Sequence, residues 1–249
     1  MTLSILDAPI FERSRLVFSV QGIEQLTKRH VFLAGVGGVG GFVAEALVRA
    51  GVGRITLVDA DVVSPSNLNR QLVALHSTLG RPKVEVMAER LLDIHPHCQV
   101  ETLQTFLKPE AMTSVLQAKP YDYVVDAIDS LNCKVALVST AYRLKIPVVS
   151  SMGAGRRIDP GKIHIADLMQ THGCALARNM RQRLKKQGIG QGILTVFSSE
   201  IPSPPGPMET IEGARGRVVN GTASYMPGIF GLMLAGIVIQ KLSKSPTTC

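Results

Sequence analysis

The chain has 249 residues, 45% hydrophobic and 18% charged, a globular composition, long enough to bury a core without disulfides or metals and unlike that of a disordered chain. Its 27 Lys and Arg outnumber 19 Asp and Glu, a net charge of +8, which favours anionic partners such as nucleotides or RNA, with solubility charge as the plainer account. Cys98, Cys133, Cys174 and Cys249 form no C-x-x-C pair, which argues against a four-thiolate zinc site or a thioredoxin-like redox pair and suits a reducing compartment.

Residues 1–29 read as a partly amphipathic helical lead-in. Asp7 falls early and no apolar stretch follows it, so the segment does not read as a signal peptide. The short apolar run 30–34 is a strand, the glycines of 35–40 a turn, and 42–49 a helix closed by Gly51 and Gly53. Strands follow at 54–59, 99–103, 123–128 and 146–151, with helices at 82–94, 109–117 and 132–144 between them. This alternation predicts an α/β, Rossmann-like, doubly wound and mostly parallel sheet. After Gly155 the pattern changes to strands at 162–167 and 194–199, a basic helix at 175–187 and a short strand at 217–220. A loop rich in Pro and Gly spans 201–216, and an apolar helix 227–242. The last third reads as a C-terminal extension of mixed strands and helices on the same sheet. The apolar run 229–239 is about eleven residues, against roughly 20 needed to span a bilayer. A cytoplasmic protein without stable membrane insertion is expected.

The turn GVGGVG (35–40) satisfies G-x-G-x-x-G between a strand and a helix, where backbone N–H groups can approach a phosphate at the positive end of the helix. Asp59, closing the next strand, is placed to bond ribose hydroxyls. Tight helix–strand packing is the alternative account of the glycines. A polar stretch, DADVVSPSNLNRQ (59–71), and GRPK (80–83) follow. Arg70 can grip phosphate oxygens bidentately and Lys83 adds a compact charge, which suits a triphosphate better than NAD. Asp129 in DAIDS (126–130) falls at the carboxyl edge of the sheet and could hold Mg2+ against phosphates. No G-x-x-x-x-G-K-[ST] occurs, which argues against a Walker-type ATPase.

Together the G-x-G-G-x-G turn, D-x-D, SNLNRQ, Lys83 and DAIDS resemble the ubiquitin-activating-enzyme-like (ThiF-type) adenylyltransferases, from about Arg15 to Gly155. The resemblance implies binding of ATP and Mg2+ and transfer of AMP to a carboxylate with release of pyrophosphate. Carried over by position, Gly35, Gly37, Gly38 and Gly40 face the nucleotide, Asp59 takes the ribose, and Asn67, Asn69, Arg70 and Lys83 line the phosphates. Asp129 takes magnesium or the attacking region. Asp61, Ser66 and Ser130 complete the same motifs and are assigned to the same site. Arg15 matches an arginine that reaches a partner subunit's nucleotide, with a solvated helix charge as its alternative. Catalysis is expected of Arg70, Lys83, Asp129 and Arg15.

Further segments, among them KIPVVSSMGAGRRIDP (145–160) and SYMPGIFGLMLAG (224–236), resemble the tRNA-modifying branch of that superfamily over nearly the full length. That implies ATP-dependent cyclisation of threonylcarbamoyladenosine beside the tRNA anticodon, in one ThiF-type domain: lead-in 1–29, nucleotide-binding core 30–155, and a substrate-binding and dimerisation extension 156–249. The apolar tail suits core burial or a homodimer interface equally. Arg156, Arg157, Arg178, Arg181, Arg183, Lys185 and Lys186 are the candidate tRNA-phosphate contacts, with a solvated basic helix as the bland reading. No general base is evident; His76 and His164 qualify only by type. Cys174 alone falls in a plausible loop, and an incidental thiol is the default. Some relatives carry a cysteine near the C-terminal motif, where this chain has Asn220-Gly221-Thr222, which puts a persulfide or thioester role in doubt and leaves a sulfur-transfer partner open. No zinc is expected. The main alternative is an adenylyltransferase acting on the C-terminal glycine of a ubiquitin-like sulfur carrier. An NAD-dependent oxidoreductase and a non-catalytic scaffold are disfavoured by Arg70, Lys83 and DAIDS.

Overall fold

The computed structural model of the chain describes residues 8–209, 217–218 and 220–244. Asp7, Cys249 and the stretch 210–216 of the expected loop lie outside them. Seven strands form one sheet in the order β3-β2-β1-β4-β5-β7-β6: β1 (His30–Ala34), β2 (Arg54–Val58), β3 (Gln99–Leu103), β4 (Tyr123–Asp126), β5 (Val148–Ser151), β6 (Ile163–Asp167) and β7 (Leu194–Ser198). Every neighbouring pair is parallel except β6 with β7. The expected doubly wound sheet is therefore present, and β6 and β7 of the last third join it.

β1 is buried along its whole length, as a strand covered on both faces must be, and its apolar run supplies side chains to both. Val31 and Leu33 pack with α1 (Glu12–Lys28), α2 (Gly40–Ala50), α3 (Lys83–Ile94) and α7 (Met226–Leu242). Phe32 and Ala34 pack on the other face with α4 (Met112–Gln117), α5 (Leu131–Arg143) and α6 (Ala175–Lys186). The apolar tail helix is thus mostly core, α7 burying Phe230, Leu234 and Val238.

Four boundaries depart from expectation for local reasons. The lead-in helix breaks at Ser19, whose φ of 63° is left-handed; its hydroxyl accepts from the Gly22 N–H at 3.2 Å and restarts the helix. Strand β4 stops at Asp126 because its carboxylate turns back to accept from the Ile128 N–H at 3.2 Å. The helix expected over 109–117 is a 3-10 turn (Pro109–Ala111) followed by α4. Within the expected loop, β8 (Met208–Glu209) forms and pairs antiparallel with β9 (Arg217–Val218), the strand expected over 217–220, in a separate two-stranded sheet and not in the main one.

The chain runs outward from β1 to β2 and β3, then crosses back to β4 on the other side of β1. The carboxyl ends of β1 and β4 therefore diverge at a topological switch point, where open α/β sheets bind ligands.

Candidate active site

A cavity of about 340 Å³ opens at that switch point. Its wall starts with the turn after β1. Gly35 has φ 91°, and a Cβ there would sit 2.6 Å from the Ala127 carbonyl; the turn needs glycine to let β1 and β4 approach. Gly37 and Gly38 line the cavity just ahead of α2, whose first turn has no side-chain cap. Their backbone faces the opening with the positive end of the helix behind it. Gly40 is different. It stands behind the turn, where a Cβ would lie 1.7 Å from the Gly35 oxygen, so its contribution is close packing and the expected contact with a nucleotide is corrected.

Asp59 follows β2 and is fixed by the turn itself. Its Oδ2 accepts from the Val36 N–H at 2.7 Å and its Oδ1 from the Asp61 N–H at 2.9 Å. Each carboxylate oxygen keeps acceptor capacity towards the cavity. Lys83 opens α3, nearly buried, with its ammonium 2.7 Å from Asp61 Oδ2. Arg70 donates to the Ser66 carbonyl at 2.9 Å and to Asn69 Oδ1 at 2.8 Å, and Asn69 in turn donates to the Thr222 carbonyl at 3.0 Å. Asn67 is buried and accepts from the Ser64 N–H. Asp129, exposed, and Ser130 close the wall after β4.

The fold thus gathers Gly35, Gly37, Gly38, Asp59, Asp61, Asn67, Arg70, Lys83, Asp129 and Ser130 around one space. Ser66 and Asn69 brace Arg70 from outside it. Arg15 lies on the half-exposed part of α1, away from this wall. His76 and His164 do not line it either; His164, on edge strand β6, is 3.0 Å from the Ser199 hydroxyl. Backbone N–H groups, a guanidinium and an ammonium around one opening suit a chain of phosphates.

Several lining residues were not singled out from sequence. Gln71 directly follows Arg70, is 8% exposed, and its buried Oε1 has no hydrogen-bond partner among the described residues. Exposed Phe106 follows β3, Gly155 comes from the end of the 30–155 core, and Thr222 and Pro227 arrive from the last third of the chain. Behind the 127–130 segment, Lys134 and Asp126 form a 2.7 Å ion pair with both side chains 0% exposed. Ser150 donates to the same carboxylate at 2.5 Å, and Lys134 donates to the Ser151 carbonyl at 2.8 Å. Only adjacency to a motif could have flagged Gln71 and Lys134.

The basic residues separate. Arg157 is buried, its guanidinium directed at the carbonyls of Gly153, Gly155, Gly173 and Glu200. Its expected phosphate contact is corrected: it clamps the backbone after β5. Arg181 bonds Thr171, and Arg183 bonds Asn132 in the first turn of α5. Arg178, Arg183, Lys185 and Lys186 are exposed, and Arg156 is half-buried. Cys174 keeps its expected place in the loop ahead of the basic helix, as the N-cap residue of α6, and is buried. Cys133 is buried against the cavity wall, and burial pushes the Cys98 thiol up to about 12.

Residues 11–248 match the family described as ThiF family, and the chain belongs to it. It is 39% identical to the tRNA threonylcarbamoyladenosine dehydratase of Bacillus subtilis, over 94% of each chain. It resembles the crystal structure of E. coli tRNA N6-threonylcarbamoyladenosine dehydratase, TcdA, in complex with ATP, with a TM-score of 0.86, 34% identity and 97% of each chain covered. Similarity to the molybdopterin-synthase adenylyltransferase of Salmonella typhimurium is shorter, 31% identity over 75% of this chain and 70% of that one.

Proposed function

We propose that this ThiF family chain is an ATP-dependent tRNA-modifying enzyme that dehydrates threonylcarbamoyladenosine to its cyclic form. The observation that carries this reading is one cavity walled by the glycine turn, Asp59, Arg70, Lys83 and Asp129, in a chain that matches a tRNA dehydratase over 94% of its length. The reading of a sulfur-carrier activator has the shorter match.

The cavity fits ATP. Asp59 is preset by two backbone N–H groups to receive ribose hydroxyls, and the glycine turn, Arg70 and Lys83 face the phosphates. A threonyl carboxylate oxygen attacks the α-phosphorus, and the bond to pyrophosphate breaks. The tethered carbamoyl group, losing a proton, then attacks the activated carbonyl, and the bond to AMP breaks. One carboxylate oxygen leaves in AMP, so the product is the substrate less one water. Tethering makes the second step undemanding. Arg70 and Lys83 act on the first by stabilising charge at the phosphates. Asp61 holds the Lys83 ammonium against the wall.

Among the described residues no group of three or more His, Cys, Asp or Glu could hold a metal. A lone carboxylate still fits Mg2+, which takes one or two protein carboxylates and completes its shell with phosphates and water. Asp129 would supply that carboxylate, and the ion would neutralise phosphate charge.

The same reading gives the chain one adenylating domain, with 30–155 binding nucleotide and 156–249 serving substrate binding and dimerisation. The exposed Leu16 and Val17 of α1 support a homodimer, across which Arg15 would reach the partner's cavity. Arg178, Lys185 and Lys186 would meet tRNA phosphates. Among the described residues no helix is long and apolar enough to cross a membrane; placement in the cytoplasm and any sulfur-transfer partner belong to the proposal.

Mass spectrometry of nucleosides from tRNA incubated with the protein, ATP and Mg2+ tests this. Loss of one water from threonylcarbamoyladenosine is the expected result. No mass change, with ATP–pyrophosphate exchange appearing only when a ubiquitin-like carrier is added, would replace the reading with the carrier-activating one.

A further inference from the structure

We propose that the ring of Tyr225 is a stacking platform for the nucleobase whose acyl group enters the cavity. The proposal rests on the tRNA reading above and adds to it the place where the base sits.

Tyr225 is the N-cap residue of α7, between Thr222 and Pro227, both of which line the cavity. Its hydroxyl donates to the Ile158 carbonyl at 2.6 Å while the residue remains 46% exposed. The bond fixes the ring, so stacking on it costs little further side-chain freedom. Two apolar side chains are left uncovered on the segments beside it, Ile158 at 69% and Ile201 at 85% exposed.

A cation completes the rim. Arg156 holds a left-handed φ of 61°, a conformation costly for a residue with a Cβ and retained where surrounding structure enforces it. Its N–H donates to the Gly221 carbonyl at 2.8 Å, and its carbonyl accepts from the Ser203 N–H at 2.9 Å. The guanidinium donates to the Ser203 carbonyl at 3.0 Å and keeps further N–H donors for an anion. The bonds of Arg156 and of Tyr225 tie residues 156–158, 203 and 221–225 into one edge.

An anchored aromatic face, flanking aliphatic side chains and an arginine are the elements that receive an unstacked base from a single-stranded loop. The acyl group is short, so its base must rest at the mouth of the cavity when the carboxylate meets the nucleotide. A protein tail would not require an aromatic plane at this edge.

The test compares wild type, Tyr225→Ala and Tyr225→Phe for KM towards tRNA, for ATP affinity by calorimetry and for association state by sedimentation. Tyr225→Ala is expected to raise KM for tRNA roughly 5- to 150-fold, the range given by loss of one base–aromatic stack, with ATP affinity within about twofold. Tyr225→Phe keeps the ring, loses the anchor and falls between. The proposal is overturned if Tyr225→Ala leaves KM for tRNA unchanged, weakens ATP equally, or alters association, which would mark a contact between copies. A wild type inert on tRNA removes the reading beneath it, and does so before any variant is compared.

Discussion

Towards the amino ends of β1, β2 and β3, polar side chains answer one another. Thr56 donates its one proton to Glu101 at 3.1 Å, so His30 Nε2, 2.9 Å away, must be the donor to Thr56. Lys119 closes on the other oxygen of Glu101, and Asp122 accepts from Arg29 and from the His30 N–H, with Arg29 Nε the one atom of this group buried without a partner among the described residues. At the carboxyl ends the groups facing the cavity keep capacity in reserve: Gln71 Oε1 lacks a partner among the described residues, Asp129 faces solvent, and the glycine turn presents bare backbone. A polar group satisfied within the fold holds elements together. One left unsatisfied and nearly buried costs stability, roughly 1–3 kcal/mol, and is retained where a ligand repays it.

The largest effect is expected where the two kinds of group meet, at the buried Lys134–Asp126 pair directly behind the cavity wall. Lys134→Met leaves a buried carboxylate uncompensated and should cost about 3–5 kcal/mol in urea unfolding, while Asp126→Leu with Lys134→Met should recover most of it. A single variant as stable as wild type would show that the pair does not hold the end of β4.

Next in size comes a matched truncation at the two ends. Arg70→Ala should lower kcat about 10²- to 10³-fold, the usual cost of a lost charge-stabilising donor, with little change in unfolding. Arg29→Ala, which removes the bond to Asp122 at the amino end, should lower stability by about 1 kcal/mol and leave kcat within about twofold. Activity lost equally in both variants would erase the distinction between the ends.

Much of the site was legible because its residues are carried by runs adjacent in sequence. Gly35 to Gly38, Asp59, Lys83 and Asp129 each follow a strand or open a helix, Arg70 lies in the turn after the 3-10 helix Pro65–Asn67, and the sheet order brings those points together. Residue type could not say what surrounds a side chain. Arg157 reads as a surface charge until Gly153, Gly155, Gly173 and Glu200 turn their carbonyls towards it. Cys174 stands just ahead of the helix read over 175–187, but only the packing shows that its thiol is buried. Thr222 and Pro227 reach the cavity because α7 packs on α2, a long-range contact that leaves no local pattern. Strand β8 is two residues long, too short for alternation to register.

The smallest effect is a pH dependence of stability confined to the amino ends of the strands and their neighbourhood. Burial pulls the imidazoles of His30 and His95 below their ordinary value of 6.5. At His30, Arg54 and Lys119 push the same way while Glu101 and Asp122 oppose; at His95, His97 adds to the burial. A lowered value in the fold means that the unfolded chain binds more protons below pH 6.5. Their contribution is therefore complete above that point and is lost as pH falls through the folded values. Urea midpoints should decline between about pH 7 and about pH 5, before Glu45 and Glu101, both held low by lysine or arginine partners, release their share at lower pH. His30→Gln keeps a donor near Thr56 and cannot titrate, so it should flatten the decline. Because His30 lies at the far end of β1 from the glycine turn, kcat for the folded fraction should not move with it. A kcat that followed the imidazole would mean that the two ends of the sheet are coupled.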